Sequence, residues 1–229
     1  MNYTRDIMNE PTNPLDFKGL SIPLTLGQAC DPKHVALMVY DTQIGVIRQI
    51  KNNERIVNGI LQVLNTARKA GIRIYFSRHL SLPKELMGIS QLRMGMEWQK
   101  VDTVEKILPW FLRGAPAFEL IPELNPLPTE AIFDKIIMSA FEGTFLNIAL
   151  RDSGIKTFII IGAAMEVGIE PTVRHGSDLG YIPVLVTDAC GAGNEQAARR
   201  SVDSLSFAGY GFQTDIETIC AIFQSNSLA

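Results

Sequence analysis

The sequence predicts an α/β fold, a parallel, doubly wound sheet of six strands in three layers, with helices on both faces. Three observations carry this. Short β-branched apolar runs recur along the chain, among them Val35–Tyr40 (VALMVY) and Phe158–Ile161 (FIII), the composition of strands buried on both faces. Stretches of helical character separate these runs, and alternating strands and helices imply a parallel sheet. The segment 158–181 reads as strand, tight turn and helix start. Gly162 ends the strand, and Pro171 suits a first helical turn, where its missing N–H costs nothing. In an open parallel sheet that turn lies at the carboxyl end of the strand, where ligands bind.

Residues 1–33 hold Pro11, Pro14, Pro23 and Pro32 and are expected to form an arm, packed on the domain or on a neighbouring subunit. Residues 34–229 form one domain. The first strand ends in Asp41-Thr42-Gln43. A helix is predicted from Asn53 to Ala70, with Val57, Ile60, Leu61 and Leu64 on one face, stopped by Gly71. The second strand runs from Ile72 to Ser77, followed by Arg78 and His79. Residues 80–128 carry six prolines and both tryptophans, which predicts short helices and long loops of the kind that carry function. The third strand spans Ala131 to Met138, and a helix from Phe145 to Asp152 ends at Gly154. A helix from Thr172 to Leu179 follows the fourth strand, Phe158 to Ile161. Pro183 to Thr187 is the fifth strand, then a helix from Asn194 to Phe207, a sixth strand from Phe212 to Ile216, and a helical or frayed tail.

A chain of 229 residues fits one α/β domain and buries roughly 70% of its unfolded surface. A net charge of −3 argues against a nucleic-acid partner. The longest apolar run, Phe158 to Met165, is too short to span a bilayer. The opening MNYTRDIMNEPTNPL has no apolar core of a signal peptide. Three cysteines without framework spacing suit a reduced, cytoplasmic protein.

Asp41 ends an apolar strand, as a turn former does or as a catalytic carboxylate does. Lys135 lies inside IFDKIIM, where a buried lysine is costly unless paired. Either it marks an exposed strand end, or it pairs with Asp41 at the mouth of the sheet.

Together with these, VALMVYDTQIGV, the run Lys135 to Thr144 with Ser-Ala-Phe-x-Gly-Thr, the stretch 158–181 and Val186-Thr187-Asp188-Ala189 resemble the motifs of the isochorismatase-like, or cysteine hydrolase, superfamily, over about residues 34–217. The resemblance implies an Asp, Lys, Cys triad at the carboxyl ends of strands, a six-stranded sheet and a homodimer or homotetramer. Asp41 and Lys135 match the first two members. The Cys position is Gly168, which has no nucleophile. Cys190 reads as a small buried packing residue rather than a displaced nucleophile. The isochorismatase branch also lacks the Cys. By that likeness Asp41 is a general acid that protonates an enol ether, and pyruvate leaves. The alternatives are a C–N hydrolase using activated water and a non-catalytic binding member.

The resemblance also implies a cis bond between Ala163 and Ala164, with the Ala164 and Gly168 amides forming an anion pocket; the other reading is an ordinary tight turn. Substrate-binding candidates are Gln43, Arg78, Arg93, Trp98, Phe141, Ala164 and Glu166. Arg78 and Arg93 hold a substrate carboxylate or a surface ion pair. Trp98 and Phe141 form pocket walls or core. Glu166 is an acid/base group or a carboxylate favoured by a helix N-terminus. The segment Ser77-Arg78-His79 lacks the Asp of a metal-binding Asp-x-His, so neither metal nor cofactor is expected. The expected ligand is a small, anionic substrate.

Overall fold

A computed structural model describes residues 13–226. Residues 1–12 of the expected arm lie outside the described residues. The rest of the arm forms an antiparallel hairpin, β1 (Leu15–Phe17) and β2 (Leu20–Ile22), whose residues are all exposed. A short helix, α1 (Leu26–Ala29), follows, capped by Thr25.

The domain then runs β3 (Val35–Tyr40), α2 (Ile44–Ile47), α3 (Asn53–Lys69), β4 (Arg73–His79), α4 (Ile89–Gln99), β5 (Ala131–Lys135), α5 (Leu146–Asp152), β6 (Thr157–Ala163), α6 (Glu170–Asp178), β7 (Ile182–Gly191), α7 (Glu195–Ala208), β8 (Phe212–Thr214) and α8 (Ile216–Asn226). Strands β3 to β8 form one parallel sheet in the order β5-β4-β3-β6-β7-β8. The chain winds outward from β3 to one edge, returns to the centre at β6 and winds to the other edge. The order therefore reverses between β3 and β6, and a crevice at a reversal of this kind is where such sheets bind ligands.

Alternate residues of each strand face opposite layers. Leu37, Val39, Ile159, Ile161, Val184 and Val186 pack under α3 and α8. Ala36, Met38, Phe158, Ile160 and Leu185 pack against α5, α6 and α7. The buried face of α3 is Ile56, Ile60, Val63, Leu64 and Ala67, so Val57 and Leu61 sit at its margin rather than at its centre. Strand β5 stops at Lys135, three residues short of the expected end, because the chain turns there to bring Lys135 under Asp41. Strand β7 continues to Gly191 past a register shift. Residues 80–128 hold one full helix, α4, among single 3-10 turns and loops.

At the switch point β3 and β6 approach closely. Tyr40 pairs with Gly162, and a Cβ on Gly162 would stand 2.1 Å from the Tyr40 carbonyl oxygen, at a φ of +125°. Only glycine meets both conditions without strain.

Candidate active site

Asp41 leaves β3 in a left-handed conformation, φ +43°, which aspartate tolerates better than most residues. Its side chain is buried at the bottom of a cavity of about 640 Å³ between the ends of β3 and β6. Oδ2 accepts from the Lys135 Nζ at 2.6 Å, and Oδ1 accepts from the Ser77 hydroxyl at 2.6 Å. Ser77 Oγ in turn accepts from the Asp41 N–H at 3.1 Å, so the single Ser77 hydroxyl proton points at the carboxylate. Lys135 is fully enclosed. It also donates to the Ile137 carbonyl at 3.1 Å and lies 4.3 Å from the centre of the Tyr40 ring. Burial lowers its pKa and the Asp41 charge opposes that. A buried ammonium is tolerable only with such partners.

Gly168 sits in a single π-helical turn, Met165–Ile169, ahead of α6. A Cβ there would stand 1.9 Å from the Tyr40 Oη, 2.4 Å from its Cζ and 2.6 Å from its Cε1. The Tyr40 phenol thus fills the place a side chain at 168 would take. Its hydroxyl donates to the Met138 carbonyl. Burial, with the Asp41 charge beside it, pushes the phenol pKa well up, so Tyr40 stays neutral. Thr172 ties this turn to the loop after β5, donating to the Gly168 carbonyl at 2.7 Å and accepting from the Ala140 N–H at 3.1 Å.

The Ala163–Ala164 peptide is cis. The expected anion pocket is not formed by Gly168, however. The amides of Val167, Gly168 and Ile169 all point at the Ala164 carbonyl, at 3.3, 3.0 and 3.2 Å, so the π turn consumes the Gly168 N–H.

Of the expected site residues, Asp41, Ala164, Glu166, Gly168 and Trp98 line the cavity, and Lys135 reaches it through Asp41. Glu166 Oε1 accepts from the Asn194 N–H at 2.5 Å, while Oε2 is buried without a partner among the described residues. Four expected residues stand elsewhere. Gln43 is wholly buried and clamps the backbone of His79, donating to its carbonyl at 3.0 Å and accepting its N–H at 2.6 Å. Arg78 pairs with Asp134 at 2.8 Å and Glu119 at 3.2 Å and packs over Phe118. Arg93 is exposed on α4 and outside the cavity wall. Phe141 stacks on Tyr181 in the core, with ring centres 5.5 Å apart. Neither arginine lines the cavity.

Cys190 is buried against the Ile160 carbonyl, and burial pushes its thiol well up, the state of an inert packing thiol. Tyr40, Ser77, Trp110 and Phe111 were not singled out by the sequence. Tyr40 had a usable signal, a large polar aromatic closing an otherwise aliphatic strand and facing a glycine. His79, placed by Gln43, also lines the cavity, with its pKa lowered to about 4, first by burial and then by the Lys135 charge. Among the described residues no helix is long and apolar enough to cross a membrane.

Residues 35–217 match the family model of the isochorismatase domain. The chain is 34% identical over 115 residues to the ureidoacrylate amidohydrolase RutB of Acinetobacter baylyi, a stretch covering 50% of this chain and 46% of that protein. The match therefore spans about half of that relative. A cysteine hydrolase from Pseudomonas syringae superimposes with a TM-score of 0.73 at 25% identity, covering 85% of this chain and 94% of that one. An N-carbamoylsarcosine amidase from Thermoplasma acidophilum shares the fold, with a TM-score of 0.66 at 20% identity over 80% and 96% of the two chains. The chain belongs to the isochorismatase family.

Proposed function

We propose that this isochorismatase-family chain hydrolyses a C–N bond of a small amide or ureido compound, by attack of water and without a covalent intermediate. The observation that carries the reading is the hydrogen-bonding of Asp41. Both carboxylate oxygens accept, one from Lys135 and one from Ser77, so the carboxylate is held in one geometry beside the cavity, as a group that receives a proton from water and passes it on must be. The expected enol-ether route begins with a proton already on Asp41, whereas both oxygens are placed here as acceptors. The likeness to an amidohydrolase named for ureidoacrylate supports the same bond class.

In this mechanism Asp41 removes a proton from water as the oxygen attacks the carbonyl carbon. The tetrahedral intermediate collapses, the C–N bond breaks, and the proton held by Asp41 passes to the leaving nitrogen. Lys135 fixes the carboxylate and offsets its charge. Gly168 offers no thiol, and Tyr40 fills the space in which one would stand.

The test is a panel of small amides, ureido compounds and an enol ether of pyruvate, assayed for ammonia and for pyruvate. Ammonia release that falls by about 10²–10⁴ in Asp41→Asn is expected, the usual worth of a positioned general base. Pyruvate release instead would restore the enol-ether route. No turnover, with ligand-dependent thermal stabilisation, would make the chain a binding member.

A further inference from the structure

Beside the active cavity lies a second cleft, of about 460 Å³, bounded by the start of α3, the π-helical turn and α7. Adjacent residues divide between the two. Ile50 lines the active cavity and Lys51 the cleft, Glu166 the cavity and Met165 the cleft, Asn194 the cavity and Glu195 the cleft. Neither Asp41 nor Lys135 lines the cleft, so it stands outside the catalytic arrangement. Its size falls within the range of small-molecule pockets, roughly 300–1,000 Å³.

The floor of the cleft is apolar, formed by the buried Ile56, Met165, Cys190 and Ala198. Its rim carries Lys51, Arg55 and Arg199 against Glu195 and Asp203. None of the three cations has an ion-pair or hydrogen-bond partner among the described residues. Arg199 lies between Glu195 and Asp203 on α7, four residues from each, the spacing at which helical charges pair, yet it pairs with neither. On α6 the same spacing does give a pair, Arg174 with Glu170 at 2.7 Å. Like charges gathered on one rim repel, and a bound anion relieves that cost. Three cations against two carboxylates leave a surplus of one positive charge. The active cavity differs, since the one lysine or arginine on its described wall, Lys100, is spent on Glu97 at 2.5 Å.

We propose that this cleft is a second ligand site, for a monocarboxylate with a compact apolar body. The body lies on the floor, and the carboxylate sits among Lys51, Arg55 and Arg199, where a guanidinium can hold it through two N–H groups. A neutral molecule of the same shape leaves the surplus charge unmet, and a bare carboxylate leaves the floor wet. The anionic ligand expected from the sequence thus finds its cations outside the active cavity. The site does not depend on the C–N reading, whose substrate binds at Asp41.

The experiment is calorimetric titration with cyclohexanecarboxylate, with cyclohexylmethanol, which has the body without the charge, and with acetate, which has the charge without the body. The proteins are wild type, Arg55→Gln/Arg199→Gln and Trp98→Ala. Arg55 and Arg199 are exposed, so the fold tolerates their replacement, and Trp98 lines the active cavity and not the cleft. Wild type is expected to bind cyclohexanecarboxylate at least tenfold more tightly than either other compound, and less tightly as salt is raised. The double arginine variant is expected to weaken it at least tenfold, and Trp98→Ala to leave it within twofold. No binding of cyclohexanecarboxylate, equal binding of cyclohexylmethanol, or equal binding to the double variant would each overturn the proposal. Binding lost in Trp98→Ala would overturn it too, by placing the carboxylate in the active cavity.

Discussion

Replacing Gly168 by alanine tests whether Tyr40 owns the space at position 168. In a helical turn this change ordinarily stabilises by roughly 0.5–1 kcal/mol, because glycine loses more backbone entropy. Here the new methyl stands 1.9 Å from the Tyr40 Oη and 2.4 Å from its Cζ. Ordinary contact needs about 3.5 Å, so the ring must retreat by more than about 1 Å. Tyr40 is 1% exposed and held by Met138 and Lys135, and it cannot retreat without giving up that hydrogen bond. Overpacking of this kind costs about 1–3 kcal/mol, and a buried hydrogen bond left unmade costs a further 1–3 or so. A net loss of about 3 kcal/mol lowers Tm by roughly 6–12 °C in a domain of this size. Removing the hydroxyl alone, in Tyr40→Phe/Gly168→Ala, relieves little, since the two carbon contacts remain. Removing the ring, in Tyr40→Ala/Gly168→Ala, makes the alanine harmless, so the pair should be coupled by about 1–3 kcal/mol in favour of the double variant. Urea unfolding of the four proteins at pH 7 measures this. Coupling within about 0.5 kcal/mol of zero, or a Gly168→Ala as stable as wild type, would refute the argument.

His79 makes stability depend on pH. Its folded pKa of about 4 lies below the ordinary value of 6.5, so the unfolded chain takes up the proton first. The contribution is present above pH 6.5 and is lost as pH falls toward 4, on the order of 3 kcal/mol in all; urea unfolding of wild type between pH 7 and 4 should show a loss that His79→Gln lacks. Phe141→Ala should cost about 3–5 kcal/mol of stability, as a truncated core aromatic does, and leave the KM of any substrate found unchanged. A rise in KM without a loss of Tm would return Phe141 to the cavity.

The parallel sheet, the helical layers and the two charged residues at strand ends were legible because each follows from a local pattern. Apolar runs of strand length mark Val35–Tyr40 and Phe158–Ile161, and a lysine among apolar residues demands a partner. The wall of the cavity was not legible, because it depends on contacts between segments far apart in sequence. Arg78 and Arg93 look alike as text, yet the first is spent on Asp134 and Glu119 and the second points to solvent. Phe141 follows a motif that ends at the site, but its ring turns into the core because Tyr181 and Phe158 offer it a stack and an edge.

The same distinction decides how the missing thiol is understood. Read alone, Gly168 is a loss. Beside Tyr40 it is half of a pair, because a glycine at 168 is what lets a phenol close the end of β3, and the phenol is what keeps a side chain from returning. Restoring a cysteine by Gly168→Cys would therefore not restore a nucleophile. It would meet the Tyr40 ring before it met a substrate. A thiolate-dependent activity is expected only when Tyr40 is reduced to a small residue in the same chain, detected as iodoacetamide labelling of the thiol introduced at position 168 in Tyr40→Ala/Gly168→Cys and not in Gly168→Cys alone.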